Sequence, residues 1–388
     1  MILLTKCLVC DSDDLETVLD LGDQPLANDY YSTGKTYPLS LMKCTVCFHN
    51  QINCQVPPTE LFSDYIYKSG TSNTGKEYFK TFAREVTTKN VKKVLDIACN
   101  DGSQLDAFSP DIKTVGIDPA KNLCKLVDKR HDVFCDFFNQ KIVDSLSTCY
   151  DTFDIIIAQN VFAHIDYPKE FLRLCSTLMN DNSRLYIQVS QAYMITNGEF
   201  DTVYHEHLSF FNTHSMSVLT KQSSLYLTNV YVKDIHGGSY LFELRKREEV
   251  GNAKQFLQIE KDTGMYTDFT IQQYRLKCEA YKTKLLKVIQ DFLDEGYIVI
   301  GYGSTAKSNT VLNYCKLTDE SVSYIIDDNE LKQGLYTPGS NIPVVHRNFL
   351  YTVDPKTVVI VFAWNYYPEI CLKIKKINSD ILVVNTLF

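Results

Sequence analysis

Four titratable side chains stand in a row at Tyr204-His205-Glu206-His207, inside the stretch Asp201-Thr202-Val203-Tyr204-His205-Glu206-His207-Leu208-Ser209. A phenol, two imidazoles and a carboxylate form a set of groups able to take, give or steady a proton near neutral pH. The bland alternative is a solvated loop. A His-Glu-His metal pair is a further alternative, but no third well-placed ligand accompanies it. The acid–base reading is preferred because the run directly follows a nucleotide-binding pattern.

The second chemical signal is cysteine spacing. Cys7-Leu8-Val9-Cys10 and Cys44-Thr45-Val46-Cys47 are two C-x-x-C knuckles in one short segment, the spacing of a tetrahedral zinc site. Four thiolates leave no open coordination position, so Zn2+ is expected to be structural. The intervening segment, with Gly22, Pro25, Gly34 and Pro38, reads as too small and loop-rich to bury a core unaided, and metal binding would supply folding energy.

The third signal is a cofactor pattern. Residues 91–98 read as a strand, followed by the turn Cys99-Asn100-Asp101-Gly102-Ser103, and 114–118 as a second strand ending in Asp118. A strand, a tight turn and an acid closing the next strand are the core of a class I site for S-adenosylmethionine. The turn lets the backbone approach the ligand and the second acid accepts from both ribose hydroxyls. Asp118 takes that role. Asp96, Asn100, Asp101 and Gly102 face the methionine end, Asp136 and Phe137 the adenine, and Gln159 completes the cofactor set. Only Gly102 remains of the usual glycine-rich turn, and Ala98 stands where glycine is common. The phosphate-cradling G-x-G-x-x-G of an NAD domain is absent.

These residues need elements to hold them. Strands at 154–158 and 184–189 alternate with helical stretches such as 167–179, which implies a parallel, doubly wound α/β sheet. Farther on, apolar residues at Ile271, Tyr274, Cys278, Tyr281, Leu285, Val288 and Phe292 predict a long amphipathic helix stopped by Gly296. A strand at 297–301 then enters Tyr302-Gly303-Ser304-Thr305-Ala306-Lys307. With strands at 321–328 and 357–363 this is a second Rossmann-like unit. The bland reading of this unit is a scaffold; the preferred one, from its glycine turn at a helix start with Lys307, is a diphosphate site through Gly303, Ser304 and Lys307. His236-Gly237-Gly238-Ser239 reads as a turn feeding a strand, with His236 lining the site.

Bulk properties narrow the class. The chain has 388 residues, 45% hydrophobic and 22% charged, with net charge −8. That is room for two or three domains, and an acidic surface disfavours nucleic acid. The apolar start is too short for a signal peptide, and no run approaches the roughly 18 apolar residues that span a bilayer. A soluble cytoplasmic protein without a membrane partner is expected, where thiols stay reduced. The nine of the thirteen cysteines outside the knuckles then read as small buried residues.

Taken together, the motifs resemble the sugar C-methyltransferases of deoxysugar biosynthesis. The resemblance runs through Gly22-Asp23-Gln24-Pro25-Leu26-Ala27-Asn28, Tyr37-Pro38-Leu39, residues 65–72, the Cys99–Gly102 turn, Asn160-Val161-Phe162-Ala163-His164-Ile165, Tyr204–Ser209, His236–Ser239 and Gly301–Lys307. It implies a zinc-binding domain over 1–70, a class I methyltransferase domain over 71–240 and a C-terminal Rossmann-like domain over 241–388. It also implies a nucleotide-sugar substrate, with a dTDP-linked 4-keto-6-deoxysugar methylated at carbon 3. His207 corresponds to the base of that family. Glu206, Tyr204 and His164 match neighbouring catalytic positions, Tyr67 a tyrosine reaching the sugar, and Tyr65 and His205 its surroundings. Rival readings are a sugar O-methyltransferase on the same scaffold, a nucleotide-sugar-binding protein, and an oxidoreductase using the C-terminal unit.

Overall fold

In the computed structural model the described residues are 1–31, 34–62, 69–191 and 193–386. The N-terminal strands are β1 (Ile2–Leu3), β2 (Leu15–Pro25), β3 (Thr36–Cys44), β4 (Asn50–Ile52) and β5 (Cys54–Gln55). The central strands are β6 (Lys93–Ile97), β7 (Lys113–Ile117), β8 (Asp132–Phe134), β9 (Phe153–Gln159) and β10 (Met179–Val189), then β11 (Ser209–Phe210), β12 (Tyr226–Lys233) and β13 (Ser239–Arg245). The C-terminal strands are β14 (Ile298–Tyr302), β15 (Ile325–Ile326), β16 (Val344–Val345), β17 (Thr357–Val361) and β18 (Leu382–Asn385).

The central sheet has the order β12-β13-β10-β9-β6-β7-β8. Its pairings from β8 to β10 are parallel, while β13 runs antiparallel to both β10 and β12. The expected parallel sheet is therefore finished by an antiparallel hairpin. The strand order reverses between the parallel neighbours β6 and β9, and both strands end at the loops that carry the cofactor residues, as ligand sites in such sheets require. The expected boundary at residue 240 falls inside β13, whose ladder to β10 runs from Tyr240 to Leu244. The β8 strand is short and half-buried, which is why sequence patterning passes over it.

The zinc segment is more ordered than its prolines and glycines suggest. β2 and β3 form an antiparallel ladder with a register shift between Asp20 and Asp23, where Gly22 takes φ 72°. The irregularity absorbs the turn residues without ending the strand. One face of this sheet is not closed by the segment itself. Val18, Leu39, Leu41 and Ile52 share a buried cluster with Tyr274, Tyr281, Val299 and Ile360, so the N-terminal sheet folds against the long helix and the C-terminal sheet.

That helix spans Asp268–Asp294, buries Ile271, Tyr274, Cys278, Tyr281 and Leu285 as the spacing predicts, and buries Ile289. Thr267 caps its start. Gly296 (φ 77°) ends it, with Gly296 N–H donating to Leu293 O and Tyr297 N–H to Phe292 O, the paired bonds of a Schellman stop. The C-terminal sheet, order β16-β15-β14-β17-β18, is parallel throughout. Among the described residues no helix is long and apolar enough to cross a membrane.

Candidate active site and metal centre

The two cysteine knuckles adopt the same backbone. Cys7 N–H donates to Ser12 O and Asp11 N–H to Cys7 O; Cys44 N–H donates to His49 O and Phe48 N–H to Cys44 O. The residue after each second cysteine is left-handed, Asp11 at φ 60° and Phe48 at φ 56°. The four sulfurs lie within 4.8 Å of one another, with Cys7–Cys47 and Cys10–Cys44 at 3.5 Å. Zinc–thiolate bonds of about 2.3 Å imply tetrahedron edges of about 3.8 Å, so the donor set fits zinc. Hydrogen bonding from Cys47 brings Cys7 down to about 6, while the shared proton and burial push Cys47 up. Among the described residues this is the one cluster of metal-ligand type.

At the cofactor end, β6 delivers buried Asp96 and the turn beyond it is left-handed at Ala98, Asn100 and Gly102. A Cβ on Gly102 would stand 2.8 Å from Val127, so glycine is required there. Asp118 follows β7 and holds the turn: its carboxylate accepts Asn100 N–H and Ala120 N–H, each at 2.9 Å. Asn100 Oδ1 accepts Ser69 N–H and Asp101 Oδ2 accepts Gly70 N–H, both at 3.0 Å. Burial raises the Asp96 pKa, and the Asp118 charge adds to it. Gln159, ending β9, has both amide atoms buried and without a partner among the described residues, an orphaned pair suited to a polar ligand. Asp136 accepts Phe137 N–H just past β8, and both residues are half-buried at the same strand-end edge. Donors and acceptors thus fit S-adenosylmethionine.

The Tyr204–His207 run is strapped between two sheets. Before it, Thr202 and Val203 are buried. After it, β11 pairs with β4 of the N-terminal sheet, Ser209 opposite Gln51. The His207 Nδ1 lies 2.7 Å from Thr202 O. A carbonyl only accepts, so Nδ1 carries the proton and Nε2 is a lone pair, which accepts the Tyr204 hydroxyl at 2.9 Å. Burial, then the charges of His164 and Lys307, hold the His207 pKa well below the usual imidazole value. His164 lies between two carbonyls, Nδ1 2.5 Å from Glu206 O and Nε2 2.9 Å from Asn160 O. Its ring centroid is 5.1 Å from that of His207, and it ties the run to the end of β9.

Glu206 Oε1 accepts Asn28 Nδ2 at 2.7 Å, which joins the run to the N-terminal sheet. His205 does not join the others. It is 1% exposed and packs edge-on to Tyr37; burial lowers its pKa to about 4, opposed by the backbone of Pro38 and Tyr37. Neighbouring residues in the run point to different sides, so a His-Glu-His metal pair does not form. Tyr65 and Tyr67 lie outside the described residues.

The C-terminal turn differs from its expected diphosphate cradle. Ser304 is fully buried. Its N–H donates to Asp327 at 2.7 Å and its hydroxyl meets Tyr30 OH at 2.8 Å. A Cβ on Gly303 would stand 2.4 Å from the Ala363 Cβ, so that glycine serves chain packing. Lys307 remains near the chemistry: its ammonium stands 5.1 Å over the Trp364 ring and 3.5 Å from His236 O. Trp364 Nε1 is anchored on Asp201 at 2.7 Å. Burial lowers the His236 pKa to about 4, with Lys307 adding to the effect. Asn28, Tyr30, Thr202 and Lys332 belong to this constellation and were not assigned from sequence. Asn28 was visible only as part of the Gly22–Asn28 stretch, and a lone lysine in a loop carries no pattern.

A strand–turn–acid site at the reversal of a seven-stranded α/β sheet defines a class I S-adenosylmethionine-dependent methyltransferase. Residues 7–62 match a zinc binding domain family, 71–230 a methyltransferase domain family, and 234–381 the C-methyltransferase C-terminal domain family. Together these matches make the chain an S-adenosylmethionine-dependent C-methyltransferase with a zinc-binding segment. It is 26% identical over 384 residues to the C-methyltransferase NovU of Streptomyces niveus, covering 95% of this chain and 91% of that one. Two solved structures align more loosely. The plantazolicin methyltransferase BpumL aligns at 15% identity and TM-score 0.34, over 44% of this chain and 83% of that one. CalO1, a methyltransferase in calicheamicin biosynthesis, aligns at 12% and 0.36, over 45% and 54%.

Proposed function

We propose that the chain methylates carbon 3 of a dTDP-linked 4-keto-6-deoxysugar, with His207 as the base. The observation that carries this reading is the fixed tautomer of His207. Its proton is committed to the Thr202 carbonyl, so a basic nitrogen is left beside Tyr204. A buried, neutral imidazole is ready to accept a proton at neutral pH.

A hydrogen on the carbon beside a ketone is acidic because the resulting charge spreads onto the oxygen. His207 Nε2 takes that proton. The Tyr204 hydroxyl, released from His207, or the Lys307 ammonium holds the developing oxyanion. S-adenosylmethionine, when bound, supplies a methyl group on a positively charged sulfur. Asp118, Asn100, Gly102 and Gln159 hold that cofactor, and His164 keeps the catalytic run against the end of β9. The sugar and its nucleotide follow from the resemblance of the motifs to sugar C-methyltransferases. None of the thirteen cysteines is in a disulfide, and a reducing cytoplasm is the location the reading expects.

The test is mass spectrometry after incubation with S-adenosylmethionine and a panel of dTDP-4-keto-6-deoxysugars. One product heavier by a methyl group, with the methyl located on carbon 3 by NMR, is expected. Methylation at oxygen, or no product from any 4-keto sugar, overturns the reading.

A further inference from the structure

Lys332 sits in the loop after β15, only 8% exposed. An ammonium has three N–H donors, yet its hydrogen-bond acceptor among the described residues is Ser304 O, at 2.6 Å. The Tyr30 ring lies 5.2 Å from it. Even if the Tyr30 hydroxyl takes a second donor, one is left over. Burial alone would lower the lysine's pKa, but Tyr30, Asp327 and Glu206 outweigh it and keep the group charged. Such a cation is a poor way to stabilise a fold, because an apolar side chain of similar length would avoid its desolvation. A ligand that supplies the missing acceptor explains its retention better.

The surroundings limit that ligand. Asn28, two residues before Tyr30, donates to Glu206, while Tyr30 OH donates to Ser304 O at 2.5 Å and accepts Asn309 Nδ2 at 3.0 Å. Side chains from all three sheet units therefore meet here: Asn28 and Tyr30 from the first, Glu206 from the second, Lys332 from the third. A phosphate would be repelled by the carboxylates of Glu206 and Asp327, and a ketone offers no donor to Glu206. A hydroxyl uses both charges, since its oxygen accepts from an ammonium while its proton goes to a carboxylate.

We propose that Lys332 and Glu206 together bind one ring hydroxyl of the sugar, Lys332 donating to its oxygen and Glu206 accepting its proton. This rests on the sugar reading above and makes Lys332 a substrate-binding residue.

The experiment uses the full chain with zinc and S-adenosylhomocysteine bound, and compares Lys332→Met with the wild type. Calorimetry is run with dTDP and with dTDP-4-keto-6-deoxyglucose. The variant should melt no lower than wild type and bind dTDP within twofold. Its affinity for the sugar nucleotide should fall at least tenfold, the scale of a hydrogen bond to a charged group. Equal losses for dTDP and the sugar nucleotide would assign Lys332 to phosphate and overturn the proposal, as would unchanged affinity for both. A second measurement covers a poorly folding variant: wild type is titrated with 2-deoxy and 3-deoxy analogues of the sugar nucleotide. One of them should lose tenfold; if neither does, the proposal fails. A wild type that binds dTDP but no more tightly when the sugar is attached sinks the sugar reading as well, whereas strong sugar binding unaffected by Lys332→Met sinks Lys332 alone.

Discussion

Replacing His207 by asparagine separates the base from the scaffold that holds it. The asparagine amide nitrogen stands close to where Nδ1 stood, so the bond to Thr202 O, 2.7 Å long in the native site, can be kept. The Nε2 position is emptied, and the Tyr204 hydroxyl loses the acceptor it holds at 2.9 Å. The stability cost is that hydrogen bond, about 1 kcal/mol, plus a small cavity. The chemical cost is a general base, worth roughly 100- to 10,000-fold in rate, or about 2.7 to 5.4 kcal/mol of barrier. The assay is exchange of the proton beside the ketone in deuterated water, followed by NMR with S-adenosylhomocysteine in the cofactor site. Wild type should exchange that proton. The variant should exchange it at least 100-fold more slowly while binding S-adenosylhomocysteine as before. His205→Asn should be mild, because His205 is packed against Tyr37 and makes no bond to the cluster. Exchange by His207→Asn at close to the wild-type rate would remove His207 as the base and make Tyr204 the next candidate.

Purified protein should carry about one zinc per chain by elemental analysis, and Cys44→Ser should lower the melting temperature because metal binding is part of the folding energy; well-folded protein without zinc would refute this. Asp118→Ala should weaken S-adenosylmethionine by about 1.5–3 kcal/mol, read by calorimetry, since the ribose acceptor and the anchor of the Asn100 turn go together; unchanged affinity would mean the ribose is held elsewhere. The pH profile of kcat/KM should fall on the acid side below the ordinary imidazole range, because His207 is held neutral by burial, His164 and Lys307. Lys307→Met removes one positive neighbour, which makes the imidazolium easier to form, so the acid limb should move to higher pH; a move to lower pH would contradict the placement of Lys307 near His207.

The parts of the fold legible in the sequence are those fixed by local pattern. The knuckles, the long helix with its Gly296 stop, and the buried strands β9 and β17 each follow from spacing or from continuous apolar runs. β2 and β3 were hidden because Gly22, Pro25 and Pro38 read as loop, whereas a register shift lets the ladder continue through them. β8 was hidden because three half-buried residues leave no periodicity. The roles within the Tyr204–His207 run were not legible either. Which histidine faces the site depends on the backbone turn set by β11 pairing with β4, a contact between residues more than 150 positions apart in the chain.

The two Rossmann-like sheets explain why an acid at a strand end is an incomplete signal. Asp118 accepts Asn100 N–H and Ala120 N–H; Asp327 accepts Ser304 N–H and Asn329 N–H in the same way. In both, a carboxylate satisfies turn donors that would otherwise be orphaned, which a strand–turn–helix needs whether or not a ligand binds. What distinguishes them lies outside the motif. Beside the first turn, the Gln159 amide is left without partners among the described residues. Over the second turn, Tyr30 and Lys332 close on Ser304, and the unspent donor moves to the Lys332 ammonium. The first acid thus holds a turn beside a buried amide open to a ligand, while the second fixes the turn on which Lys332 stands. Long-range contacts with a loop from the zinc-binding segment make that difference, and a sequence motif cannot report them.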